Sequence, residues 1–209
     1  RFMKLVDMLG IPVVTAWNST EVIENSHPLY SGRAGNFGDR PGNFAVQNSD
    51  LILSLGCRLS IRQTGFNYAS WAREAFVIDV DIDEAELKKP TIHVELPMHD
   101  DVHDFSDRLS DFVAGKKTKH FDSWISRCKD WIRRYPIVND RQRSQKEKCN
   151  AYAIIEMLSE HCSEGTVCVS GNGTACVVGG QAFITKHGTR FIENSGMASM
   201  GWDLPAAIG

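Results

Sequence analysis

Two short apolar runs constrain the fold of this chain more than any other feature. DLILSLG, at 50–56, is a continuous apolar run with the length of a buried parallel strand, and FVIDVDID, at 76–83, is the next strand, alternating apolar and acidic towards its end. Strands of that kind belong to parallel sheets. A parallel connection also needs a crossover of a dozen or more residues, which is about what separates the two runs. RFMKLVDMLG places Phe2, Leu5, Val6 and Leu9 on one helical stripe, with Gly10 as its C-cap. IPVVTAW follows as a short buried strand. SGRAGNFGDRPGNF, dense in Gly and Pro, reads as a loop, and FAVQNSD as a short helix leading into DLILSLG. DEAELKK is a helix or turn that Pro90 stops, and TIHVELP is a further strand. VHDFSDRLSDFVAG is a helix with Val102, Phe105, Leu109 and Phe112 or Val113 on one face. The alternation predicts an α/β fold, a Rossmann-like parallel sheet layered with helices.

Beyond residue 118 the composition shifts. Residues 119–150 are rich in Lys, Arg and Gln, with Trp124, Ile125, Cys128, Trp131 and Ile132 at helical spacing. They read as a connecting helix whose tryptophans pack on a neighbouring unit. A second α/β unit opens at Ala151: AYAIIEMLSEHC is helical, TVCVS a buried strand, and a Gly-rich turn comes next. The division is therefore 1–118, 119–150 and 151–209. LPAAIG reads as the opening of a helix, so the chain is expected to stop inside its second unit, and to begin after the first strand of its first.

A net charge of −3 provides no basic footprint for nucleic acid. No apolar run approaches the ~20 residues that span a bilayer. The six cysteines form no CxxC pair and read as reduced packing residues of a cytoplasmic protein. His99 and His103 have helical i, i+4 spacing, but no third metal ligand is placed beside them.

Two stretches carry candidate chemistry. The first joins the ends of two strands. Gly56 is followed by Arg58 and Arg62, and FVIDVDID ends with Asp79, Asp81 and Asp83. Ligands of open α/β sheets bind outside the carboxyl ends of the strands, where an acid can bond ribose hydroxyls and an arginine a pyrophosphate. A surface Arg–Asp network reads equally well from these residues alone. The second is TVCVSGNGTACVVGG, in which Gly171, Asn172, Gly173 and Thr174 stand between a strand and a small-residue helix. Glycines there let backbone N–H groups approach an anion that the helix N-terminus also favours. The lysine of a P-loop is missing, which disfavours a nucleoside triphosphatase.

In order along the chain, GIPVVT, HPLYSGRAGNFG, FAVQNSDLILSLGCR, RQTG, VDIDEAEL, SGNGT and SGMASMGWDLPAAIG resemble the acetolactate synthase group of thiamine-diphosphate enzymes. That resemblance implies a central domain followed by the first part of a diphosphate-binding domain. It implies that residues 171–174 contact the diphosphate, that Met200 holds the coenzyme bent, and that Ala198 lines the same turn. Gly56, Arg58, Asp81 and Ile82 match an FAD or nucleotide site, and Arg62 a position near the substrate channel. The activating glutamate would lie before Arg1 and the Mg²⁺ ligands beyond Gly209, so no catalytic or metal-binding residue is expected within the chain. Two departures bear on flavin more than on thiamine diphosphate: Ser60 and Ile61 replace two acids, and Asn36-Phe37-Gly38 replaces Met-His-Gly.

The activity implied is decarboxylation and carboligation of 2-oxo acids such as pyruvate, by a homodimer or homotetramer of the complete enzyme. A 2-oxo acid decarboxylase or other lyase of the same superfamily is the alternative enzyme. A non-catalytic nucleotide-binding or assembly module is the alternative outside catalysis.

Overall fold

A computed structural model describes residues 1–116 and 120–209. The boundary read between 118 and 119 lies outside the described residues. In chain order the elements are α1 (Phe2–Leu9), β1 (Val13–Thr15), β2 (Tyr30–Arg33), α2 (Arg40–Gln47), β3 (Leu51–Leu55), α3 (Ile61–Thr64), β4 (Phe76–Asp81), α4 (Glu84–Leu87) and β5 (Leu96–His99). There follow α5 (Val102–Val113), α6 (Asp122–Arg134), α7 (Asp140–Arg143), α8 (Ala151–His161), β6 (Val167–Ser170), α9 (Thr174–Ala182), β7 (Arg190–Glu193) and α10 (Asp203–Ile208). Every strand pair is parallel: β1 with β2, β3–β4–β5 with β4 central, and β6 with β7. The α/β class with parallel sheets is thus as the apolar runs require.

β4 is the best-covered strand. Val80 is fully buried, and Val77 joins Leu59, Trp71, Ala72 and Ala75 in one core cluster. α1 ends at Gly10 in the left-handed conformation and buries Leu5 and Val6, as its stripe predicts. It packs on α5, whose buried residues are Ser106 and Ser110, small enough for two helices to approach closely. Of the two candidates for the end of that face, Val113 is half-buried whereas Phe112 is exposed.

Three sequence expectations are corrected. SGRAGNFGDRPGNF is not all loop: it holds Ser31–Arg33 of the wholly buried β2 and the start of α2. Its glycines serve close packing. A Cβ on Gly42 would lie 2.5 Å from the Arg33 backbone, and one on Gly38 2.2 Å from the Arg33 carbonyl oxygen. Asp39 joins the two elements, its carboxylate accepting from Gly42 N at 2.6 Å as helix cap and from Arg33 N at 3.0 Å. The strand expected at TIHVELP lies later, at Leu96–His99. Glu95 occupies the edge of β4 just before it, with its carboxylate accepting from Val77 N, and Pro97 is tolerated because β5 is an edge strand. β7 was not anticipated, because RFIE is short and charged at both ends; its place comes from pairing with β6.

α6 lies against α2 and β2 through edge-to-face rings. Phe44 meets Trp131 at 5.7 Å and Tyr135 at 5.3 Å, and Trp131 meets Trp124 at 5.5 Å. Lys129 donates to the carbonyls of His27 and Tyr30. The expected docking of the tryptophan helix is present.

The tightest long-range tie is Arg33. Its guanidinium is buried and donates to the carbonyls of Gly180 at 2.7 Å, Gln181 at 2.8 Å and Phe183 at 2.8 Å. Asn25 Oδ1 and Thr185 Oγ1 accept at 3.3 Å each. The last carbonyls of a helix have no partner within it, and the C-terminus is its negative end. Arg33 therefore caps α9 from 147 residues away. In Arg33→Met, which keeps the length and loses the charge, buried carbonyls are stranded, and denaturant unfolding should show a loss of roughly 3–5 kcal/mol. Gly42→Ala should cost about 1–3 kcal/mol or more by overpacking against the Arg33 backbone.

Candidate functional site

At the carboxyl end of β3 the chain turns through three positive-φ residues within four positions, Gly56, Arg58 and Leu59. The turn brings Arg58 to α4: its Nε meets Glu86 at 2.6 Å, Glu86 also binds Lys89 at 3.1 Å, and Lys89 donates to the Arg58 carbonyl. Beside them, at the end of β4, Asp81 is buried and accepts from Asp83 N at 2.9 Å. Asp79 is buried further, and desolvation pushes its carboxyl up, helped by the charges of Asp81 and Glu86 against Ser54 and Lys89. Its Oδ1 has no hydrogen-bond partner among the described residues. Ile82 is exposed, and its carbonyl meets His99 Nε2 at 3.0 Å. His99 lies in β5 and His103 in α5, so their sequence spacing is not helical geometry. Gly56, Arg58, Asp81 and Ile82 thus share one edge, with Arg58 engaged by the protein itself.

Arg62 is elsewhere. Its guanidinium lies over Trp17, 5.1 Å from the ring centroid, and over Phe37 at 5.8 Å. The two rings meet edge to face at 4.2 Å.

The second site is built by β6 and β7. Ser170 pairs with Glu193, so the turns leaving the two strands start side by side. The first, 171–174, passes through Gly173 at positive φ into α9, whose first turn has no side-chain cap. Its N–H groups are therefore available to an anion. The second, 194–201, is closed by Ala198 N donating to the Asn194 carbonyl at 2.8 Å, with Ala198 and Gly201 at positive φ. Asn172 Nδ2 donates to the Ser199 carbonyl at 2.6 Å and joins the two turns. Met200 stands 93 % exposed on the second turn, unlike a packing methionine. Asp203, at the start of α10, comes so close to Gly171 that an added Cβ would lie 2.9 Å from its carboxylate. Gly171, Asn172, Gly173, Thr174, Ala198 and Met200 therefore form one surface from two separate stretches. Among the described residues no group of three or more His, Cys, Asp or Glu side chains could hold a metal ion.

Sequence reasoning found both turns and missed what stands behind them. Trp17, Glu21 and Glu193 converge with Arg62 where the first part of the chain meets β7 and α9. Buried polar atoms of Trp17, Glu21 and Glu193 have no partner among the described residues. No local motif marks these positions; only the fold assembles them.

Comparison with known proteins gives a consistent picture. The family described as thiamine pyrophosphate enzyme, central domain, matches residues 1–109, which is more than half of the 209. A probable acetolactate synthase large subunit of Methanococcus aeolicus is 29 % identical over 222 residues, covering 100 % of this chain and 36 % of the relative. Acetolactate synthase large subunits of Lactococcus lactis and Corynebacterium glutamicum are 28 % and 29 % identical, covering 100 % and 96 % of this chain and 35 % and 32 % of the relatives. The chain spans about a third of the length of the curated relatives it matches.

Asn172→Ala should uncouple the two turns. Amide exchange across 194–201 is expected to accelerate several-fold, the effect of losing about 1 kcal/mol of local hydrogen bonding, while α8 is unaffected.

Proposed function

This chain belongs to the thiamine pyrophosphate enzyme central-domain family, and from that premise we propose that it is part of a thiamine-diphosphate- and Mg²⁺-dependent carboligase of the acetolactate synthase type, a transferase acting on 2-oxo acids such as pyruvate. In this reading 1–118 is the central domain, 119–150 the connection, and 151–209 the opening of the diphosphate-binding domain. The chain works within a polypeptide of the relatives' length, as a homodimer or homotetramer, and is inactive alone. Its six free thiols suit a reducing, cytoplasmic setting. Among the described residues no helix is long and apolar enough to cross a membrane.

The observation that carries the reading is the joining of the 171–174 turn to the 194–201 turn through Asn172 and Ser199. The uncapped start of α9 suits a diphosphate, and the exposed Met200 side chain gives an apolar support at the adjoining turn. Gly171, Asn172, Gly173 and Thr174 would hold the diphosphate, with Ala198 and Met200 against the rings. Asp203 beside Gly171 is compatible with an anion that arrives with a divalent cation. When bound, thiamine diphosphate supplies the electron sink for decarboxylation of a 2-oxo acid. The chain's part is to fix position. The parallel pair β6–β7 sets the two turns in register, Asn172 locks them, and the Arg33 cap holds α9 behind them.

One observation favours a second reading, a 2-oxo acid decarboxylase or other lyase without flavin. Arg58 is paired with Glu86, and Ser60 and Ile61 carry no charge, so the 56–82 edge offers FAD little that is free. Arg62, stacked on Trp17 and Phe37, is the residue of this chain proposed for the substrate side.

In the longer protein, supplied with pyruvate, Mg²⁺ and thiamine diphosphate, carbon dioxide and acetolactate are the expected products. Acetaldehyde in their place would support the decarboxylase, and absence of turnover would overturn both. Met200→Ala should lower turnover by about 10²-fold with little loss of coenzyme affinity; an unchanged kcat would remove its role.

A further inference from the structure

The seam between the first part of the chain and the β6–β7 unit has two contact regions. One is the Arg33 cap. The other, on the far side of Gly180, contains groups that the proposed function does not use. A Cβ on Gly180 would lie 3.8 Å from both Glu193 Oε2 and Trp17 Nε1, so both side chains press on α9 there. Glu193 closes β7 and leads directly into the 194–201 turn. Both its carboxylate oxygens are buried without a hydrogen-bond partner among the described residues, as are one Glu21 oxygen and Trp17 Nε1.

Among the described residues, four groups act on or answer to the Glu193 carboxylate. Glu21, from the 3₁₀ segment Trp17–Val22, opposes its ionisation; Arg62 of α3 favours it. Ser195 lies close enough to favour the charged form without meeting hydrogen-bond geometry. Cys176 of α9 is the fourth, its thiol pushed up by burial and then by Glu193, and its Sγ–H donates to the Gly173 carbonyl at 3.3 Å. Among the described residues the cation of the group is Arg62, which lies over the two aromatic rings.

We propose that Glu193, Glu21 and Arg62 form a proton-operated latch across this seam. With a proton on Glu193 the seam is closed and the 194–201 turn is held. Losing that proton leaves a charge beside Glu21 on oxygens that are buried without a hydrogen-bond partner among the described residues, while Arg62 is engaged with its aromatic stack. The seam then loosens at the root of the turn. Through Cys176 and Gly173 the same event touches the 171–174 turn. The latch rests on side chains behind both turns and does not depend on which coenzyme they hold.

Desolvation, which outweighs Ser195 and Arg62 and is reinforced by Glu21, moves the Glu193 carboxyl from its ordinary 4.5 up to about 7. Between those values the folded chain keeps a proton that the unfolded chain has lost, so stability falls as pH rises through the window. The test compares the longer protein that contains this chain with its Glu193→Gln variant, without added coenzyme, between pH 5 and pH 8.5. The unmodified chain should lose thermal stability across the window, and exchange at 194–201, corrected for its intrinsic pH dependence, should rise about tenfold. In Glu193→Gln both changes should be much smaller. A direct measurement needs no variant: the Glu193 side-chain carboxyl carbon should titrate near neutrality by NMR. A midpoint near the ordinary value, or identical pH profiles for the two proteins, would overturn the latch.

Discussion

A buried guanidinium at the end of a short strand holds this structure together. Arg33 is among the least exposed residues of the chain, and the carbonyls it binds belong to the end of α9 and the residues just beyond. An arginine suits this position because its donors are fixed in a plane and can serve several carbonyls at once, which an ammonium on a flexible stem cannot. Burying its charge is costly, and the negative end of a helix supplies compensation. Because α9 is tied at its C-terminal end, its N-terminal end can be left uncapped and open beside β6. The helix is anchored where no ligand is needed and free where an anion can bind.

The same seam sets the geometry of the proposed coenzyme surface. β6 and β7 pair over only four residues each. A two-stranded parallel ladder is weak by itself. The position of the 171–174 turn relative to the 194–201 turn depends on what backs that ladder: the Arg33 cap, the Asn172–Ser199 bond and the acidic cluster behind β7. Carboxylate oxygens of that cluster that are buried without a hydrogen-bond partner among the described residues cost stability, as unsatisfied groups at functional seams often do. That local cost is what makes a protonation-dependent seam possible.

The sequence made the fold class legible because buried parallel strands are mainly apolar, as 51–55 is but for Ser54, and 76–81 is until the acids of its carboxyl end. α1 was legible from its stripe and its Gly10 cap, and the 171–174 turn from strand, glycines and small helix in succession. Reading failed where glycine meant contact and not flexibility. Gly38 and Gly42 lie against the Arg33 backbone, a reason that no local pattern reveals, and so β2 and the start of α2 were taken for a loop. It failed again at β5 and β7, four residues each, whose positions come from pairing and not propensity. Of the candidate site, the residues on the two turns were named in advance, whereas Arg33, Glu21 and Glu193 act across more than a hundred positions of sequence. Arg58 and Arg62, adjacent in the motif, part company because the positive-φ turn at 56–59 turns one towards α4 and α3 carries the other to Trp17.

The central claim is that two glycine-containing turns, held in register from behind, make one surface for thiamine diphosphate. Hydrogen exchange of the longer protein with and without thiamine diphosphate and Mg²⁺ tests it most directly. Protection concentrated in 171–176 and 194–201, rising together with coenzyme concentration, is the expected result. Protection confined to the 56–82 edge, or coenzyme binding that leaves both turns unchanged, would contradict it.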